Sequence, residues 1–307
     1  MNFTYILSKV DPKKIAWSLF AICPGFFASN MIMARAMVDI LPPMTMALMR
    51  WFFVSFIIFA FSWPWIKRNI PVVISEWKHL IILGGFGMGL CGGPVYLAGE
   101  HTSATNIGLI YASSPLLILL ISYFFLNEKI SLIQFLGFFM GIFGVLIILV
   151  RGNLAFFLLI QFNQGDLWIC SATLSFALYS LGLRYFETKI PNIVRIGFMS
   201  AAGVLWHLPF SIMEFYLWNR NFTLSSEMFS GLFILIFISS FAAYISYSKI
   251  IEILGASKAG MVLYLSPIYV AIFAIFFLGE TLQWFHFVGC LLIIPGVWLT
   301  SLKSNSN

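Results

Sequence analysis

"SSPLLILLISYFFLNEKI", residues 113–130, is an apolar run with a proline near its start and a polar stop at Asn127, Glu128 and Lys129. Nearly the same phrase returns as "LSPIYVAIFAIFFLGETL" at 265–282. Setting Pro115 on Pro267 gives an offset of 152, which then pairs Glu128 with Glu280, Gly137 with Gly289 and Gly144 with Gly296 without a gap. Over 105–149 against 257–301, 12 of 45 positions are identical. Shared hydrophobicity aligns leucines and phenylalanines; it does not align a proline, a glutamate and three glycines. The chain therefore reads as a duplication, with halves at 1–155 and 156–307.

Composition says where both halves reside. Of 307 residues 61% are hydrophobic and only 9% charged, with mean hydropathy +0.98, far too little charge to cover the surface of soluble domains this large. About 20 apolar residues cross the roughly 30 Å hydrocarbon core. Ten such spans fit, near 15–35, 43–66, 78–99, 105–126, 131–151, 166–186, 192–214, 228–250, 258–278 and 284–302. The fold class is thus an all-α membrane protein of ten transmembrane helices. Each half has five, an odd number, so the second copy must enter the bilayer from the opposite side. Inverted five-helix repeats of this kind are a hallmark of secondary transporters, in which a site near the midplane opens to either side in turn.

Lys and Arg are retained on the cytoplasmic side of short loops. With both termini cytoplasmic, the inner segments hold most of the 17 basic residues, the outer ones hold Arg35, Arg151 and Arg220, and Arg50 lies within a span. The net charge of +6 is therefore a topology signal, and nucleic acid is not an expected partner. The first span is expected to be retained rather than cleaved, since its loss leaves nine spans and spoils the asymmetry. The four cysteines, Cys23, Cys91, Cys170 and Cys290, fall in separate spans with no C-x-x-C pair and read as packing residues.

Several residues carry possible chemistry. Arg50 lies about seven residues, roughly 10 Å, into its span. A charge there costs about 2.5–3.5 kcal/mol on insertion scales, so it must face protein or water. It is either an anchor for a carboxylate or phosphate, or a helix-locking arginine bonded to nearby carbonyls. Pro115 and Pro267 should kink their helices and free the carbonyls near Tyr111 and Leu263, to be met by a substrate or by Ser113, Ser114 and Ser266. Glu128 and Glu280 are expected to be helix-end anchors, each accepting from the amides at the start of the following helix. Gly85, Gly89 and Gly93 recur every four residues and predict close helix approach. Asn30, Tyr96, Tyr111, Tyr179, His207 and Tyr264 are cavity candidates because a buried polar group needs a partner. The three aspartates, Asp11, Asp39 and Asp166, all fall at or outside span ends.

The stretches "YLAGEHTSATNIGLIYASSP" and "FFLNEKISLIQFLGFFMGIFGV", with their echoes "YSKIIEILGASKAGMVLYLSP" and "FFLGETLQWFHFVGCLLIIPGV", resemble the duplicated EamA-type domain of the drug/metabolite transporter superfamily. "LPPMTMALMRW" at 41–51 is similar to that domain's proline-then-arginine signature. Glu100 and His101 depart from it, standing where the family more often shows a basic and an aromatic residue. The resemblance implies ten helices around a central cavity and secondary transport of a small polar metabolite, an amino acid or related compound, often by export across the bacterial inner membrane. A nucleotide-like or S-adenosylmethionine exchanger is the alternative substrate class, and a channel the alternative mechanism. No H-E-x-x-H, G-x-S-x-G or G-x-x-x-x-G-K motif occurs, so neither an enzyme nor an ATP-driven pump is expected. The expected partners are a small-molecule substrate and the lipid bilayer, as a monomer or homodimer, with no cofactor and no metal.

Overall fold

The structure, a computed structural model, describes residues 11–126, 131–153, 163–186, 188–218, 220–254 and 262–302. Glu128 lies outside these residues, as does the side chain of Tyr264. The first half contains α1 (Pro12–Ala36), α2 (Pro43–Arg68), α3 (Ile70–Gly84), α4 (Gly93–Gly99), α5 (Ala104–Tyr111), α6 (Ser114–Leu126) and α7 (Leu132–Leu149). The second contains α8 (Gln164–Tyr185), α9 (Asn192–Tyr216), α10 (Ser226–Phe233), α11 (Ala243–Leu254), α12 (Val262–Leu278) and α13 (Trp284–Ser301). Two π-helical segments, π1 (Gly85–Leu90) and π2 (Ile234–Ala242), join α3 to α4 and α10 to α11. No strand occurs among the described residues.

Among the described residues, seven stretches are long and apolar enough to cross a bilayer: Pro12–Ala36, Pro43–Arg68, Ile70–Gly99, Ala104–Phe125, Gln164–Leu183, Asn192–Tyr216 and Ser226–Tyr247. Shorter apolar helices lie at Leu132–Ile148, Leu265–Leu278 and Trp284–Gly296. These apolar spans make the chain a helical, multi-pass membrane protein, each helix satisfying its own backbone hydrogen bonds in hydrocarbon. Phe124 and Phe125, with their counterparts Phe276 and Phe277, are 65, 78, 80 and 73% exposed, which marks them as lipid-facing.

Local signals set the helix starts. Asp11 caps α1 through the Lys13 amide (2.9 Å), Ser103 caps α5 through Asn106 and Ser225 caps α10 through Met228. Ser131 with Gln134 forms a capping box on α7, and their counterparts 152 residues on, Gln283 with His286, form one on α13. The third span begins at Ile70, eight residues before the expected 78. Pro71 can start a helix, and Glu76 leaves the helix face to accept from Thr188 Oγ1 (2.5 Å) and the Lys189 amide (3.0 Å). The two span prolines are not alike: Pro115 is the second residue of α6, after a break at Ala112 and Ser113, whereas Pro267 lies inside α12.

Glycines set the closest packing. A Cβ on Gly85 would stand 2.5 Å from Trp206 Nε1 and one on Gly93 2.6 Å from Met44 Sδ, so π1 and α4 lie directly on α9 and α2. Helix α7 packs along α13, where a Cβ on Gly144 would stand 2.9 Å from the Gly289 carbonyl oxygen and one on Gly296 2.7 Å from that of Gly137. Under the 152-residue offset these are the same contact made in both directions.

Candidate functional site

Arg50, the eighth residue of α2, is 4% exposed and held from three other segments. Its Nη1 donates to Asn30 Oδ1 of α1 (2.5 Å) and to Tyr96 Oη of α4 (2.8 Å); Tyr96 in turn donates to Asn30 Oδ1 (3.0 Å). Its Nε donates to Ser240 Oγ (2.8 Å) and its Nη2 to the Ser239 carbonyl (3.1 Å), both in π2. The guanidinium carbon also lies 4.3 Å from the Trp51 ring centroid. Hydrogen bonds to a charged group contribute about 1.5–3 kcal/mol each, so these four offset the cost of placing an arginine at this depth. They do not neutralise it: among the described residues no carboxylate pairs with Arg50.

The π segments explain why acceptors are available. Each π turn widens the helix by a residue, which loosens the regular backbone ladder and turns some carbonyls outward. In π2 the Ser239 carbonyl goes to Arg50, while Ser240 Oγ donates back to the Leu235 carbonyl (2.8 Å). In π1 the Phe86 carbonyl accepts from Ser175 Oγ (2.8 Å) and the Met88 carbonyl from His207 Nε2 (3.0 Å). Shifted by 152, π1 falls on 237–242, the last six residues of π2.

Around Arg50 is a narrow cavity with a water-accessible volume of about 50 Å³. Of the residues nominated from sequence, Asn30, Arg50, Tyr111, Ser114 and Ser266 line it, and Tyr96 adjoins it through Arg50. Tyr179 and His207 do not line it: Tyr179 packs on Gly87 and Phe176, and His207 ties α9 to π1. Cys91, read as packing only, also lines it, with its sulfur 2.8 Å from Tyr111 Oη. Trp51 lines the cavity, is 2% exposed, and has an indole N–H with no hydrogen-bond partner among the described residues. An uncompensated cation and an unused N–H donor share one enclosure, lined otherwise by apolar and aromatic residues and the neutral polar Asn30, Ser114, Ser239 and Ser266. Tyr244 and Ser239 also line the cavity; they and Ser240 carry no mark in the sequence, whereas Trp51 stands there only as the last residue of "LPPMTMALMRW".

Beyond the cavity, polar contacts join distant parts of the chain at helix starts. Glu280 accepts from the Ala104 amide (2.7 Å), the Thr105 amide (3.2 Å) and Thr105 Oγ1 (2.7 Å). It therefore caps α5 rather than α13, the helix that follows it; the fold brings the earlier helix start nearer. Glu214 does the same for α2, accepting from the Met44 and Thr45 amides (2.8 Å each) and Thr45 Oγ1 (2.9 Å). Asp166, although near a helix start, is 1% exposed and accepts from Thr102 Oγ1 (2.7 Å). Arg220 pairs with Glu100.

The sequence matches the EamA-like transporter family twice, over residues 15–150 and 163–302. It is 25% identical to an uncharacterized transporter of Archaeoglobus fulgidus over 94% of this chain and 97% of that one. It is 22% identical to the uncharacterized transporter YetK of Bacillus subtilis over 94% and 87%. A protein of known crystal structure superposes with a TM-score of 0.60 at 18% identity, covering 92% of this chain and 94% of that one, which is a likeness of fold.

Proposed function

The chain belongs to the EamA-like transporter family, and from that premise we propose that it is a secondary carrier moving a small polar metabolite with an anionic group across the inner membrane by alternating access. The observation that carries this reading is Arg50: buried, hydrogen-bonded on both edges by neutral groups only, and without a counter-ion among the described residues, beside the unused Trp51 N–H. An oxyanion in the cavity satisfies both. At an effective dielectric of about 20, opposite charges 4 Å apart attract by about 4 kcal/mol. The cavity of about 50 Å³ holds a few waters, whereas small-molecule sites span about 300–1,000 Å³. The substrate is therefore admitted only when the halves move apart.

The architecture we infer is ten membrane helices in two inverted halves, 1–155 and 156–307, with both termini cytoplasmic. The reciprocal approach of Gly144 to Gly289 and of Gly296 to Gly137 supports a pseudo-twofold relation, since a self-complementary contact of that kind is what a twofold axis produces. The placement of π1 and π2 at equivalent positions supports it independently. The Glu214 and Glu280 caps then close the outer end.

Purified protein in liposomes tests the mechanism. A thermal-shift screen of amino acids, nucleosides and S-adenosylmethionine selects the compound; saturable uptake with counterflow is expected. Flux that rises linearly without saturation overturns the carrier reading in favour of a channel.

A further inference from the structure

The four bonds of Arg50 fall into two sets. Nη1 is fixed by Asn30 and Tyr96, from the same half as Arg50 itself. Nε and Nη2, whose N–H bonds run parallel on the other edge of the guanidinium, go to consecutive residues of π2, Ser240 and Ser239. That edge is the fork that receives the two oxygens of a carboxylate in bidentate Arg–carboxylate pairs. Here a hydroxyl oxygen at 2.8 Å and a carbonyl oxygen at 3.1 Å occupy the two places. Both are neutral, so they fill the geometry of a carboxylate without its charge. Ser239 also lines the cavity, so the occupied edge adjoins the space a ligand enters.

We propose that Ser239 and Ser240 are a built-in stand-in for the substrate, and that a carboxylate displaces them from the Nε–Nη2 edge. The inference rests on the carrier reading and narrows it to substrates with a planar two-oxygen anion. Displacement also releases π2 from α2, a contact between the two halves, so binding and the loosening of the halves are one event. Ser240 is the positioning residue of this exchange. Its hydroxyl ties Arg50 to the π turn by accepting from Nε while donating to the Leu235 carbonyl.

The test uses purified full-length protein in detergent, acetate as the probe and acetamide as its uncharged counterpart, with binding read by saturation-transfer NMR. Removing a competing hydroxyl should tighten acetate binding by Ser240→Ala roughly tenfold or more over wild type, the worth of one hydrogen bond to a charged group. Ser240→Thr, which restores the hydroxyl, returns the wild-type affinity; Arg50→Gln abolishes binding; acetamide binding does not respond to Ser240→Ala. Equal or weaker acetate binding by a Ser240→Ala protein of unchanged helix content overturns the proposal. So does an absence of acetate binding by both proteins. Because this assay needs no transport, a failure of counterflow in liposomes sinks the carrier reading without touching the stand-in.

Discussion

Glu280 accepts a hydrogen bond from the backbone N–H of Ala104 at 2.7 Å, although 176 residues separate them. Glu214 meets Thr45 in the same way across 169 residues. In both places a carboxylate from the second half caps a helix of the first and also receives a threonine hydroxyl. A helix start inside a membrane protein has little water to satisfy its free amides, so each cap joins the halves as well as ending a helix.

Removing these caps should destabilise unequally. Glu214 is fully buried, so Glu214→Ala leaves the Met44 and Thr45 amides unpaired and is expected to cost about 3 kcal/mol. Glu280 is only partly buried, and Glu280→Ala should cost about 1–2 kcal/mol. Unfolding in detergent measures both; a larger loss for Glu280→Ala contradicts the assignment.

The α7–α13 contact should not tolerate a larger residue. Gly296→Val places side-chain atoms against the Gly137 carbonyl and Gly141, with an expected cost of about 1–3 kcal/mol or more. Gly144→Val should behave alike, since it makes the same contact reversed. The fraction of monodisperse protein after solubilisation reports this. A harmless Gly296→Val paired with a damaging Gly144→Val would speak against the twofold relation.

Trp51→Phe separates ligand binding from stability. The indole N–H has no protein partner among the described residues, so its removal leaves no group unpaired, and the melting temperature should fall only modestly, by the void that the smaller ring leaves. Affinity for the transported compound should fall roughly tenfold or more, as for one hydrogen bond lost to an anion. Loss of stability with unchanged affinity would make Trp51 a packing residue.

Topology has its own test. Lys129→Cys and Thr281→Cys stand at equivalent positions of the two repeats and should react with an impermeant maleimide from opposite sides of the membrane. Labelling of both from one side contradicts the inversion.

The membrane class was legible in the composition, and the duplication because a proline, a glutamate and three glycines recur together at one fixed offset. Arg50 was legible because a charge inside a span must have a purpose. Ser240 was not, since one serine among many in apolar helices carries no mark and the π turn that aims it has no sequence signal. Glu214 was missed because a glutamate at a span end resembles a solvated one. The partner of Glu280 was misassigned because capping was sought in the next helix, whereas folding sets it against α5. His207 drew notice as a titratable group, yet its bond to the Met88 carbonyl uses it to hold two helices together.

The role of Arg50 is tested most directly by counterflow in liposomes with the Arg50→Gln protein, using the compound that most stabilises the wild type. Gln keeps an N–H donor at the position of Nε, which meets Ser240, but removes the charge. The account predicts a correctly inserted, folded protein with no saturable uptake. Counterflow at the wild-type rate would contradict it and return Arg50 to the role of a residue that only locks helices.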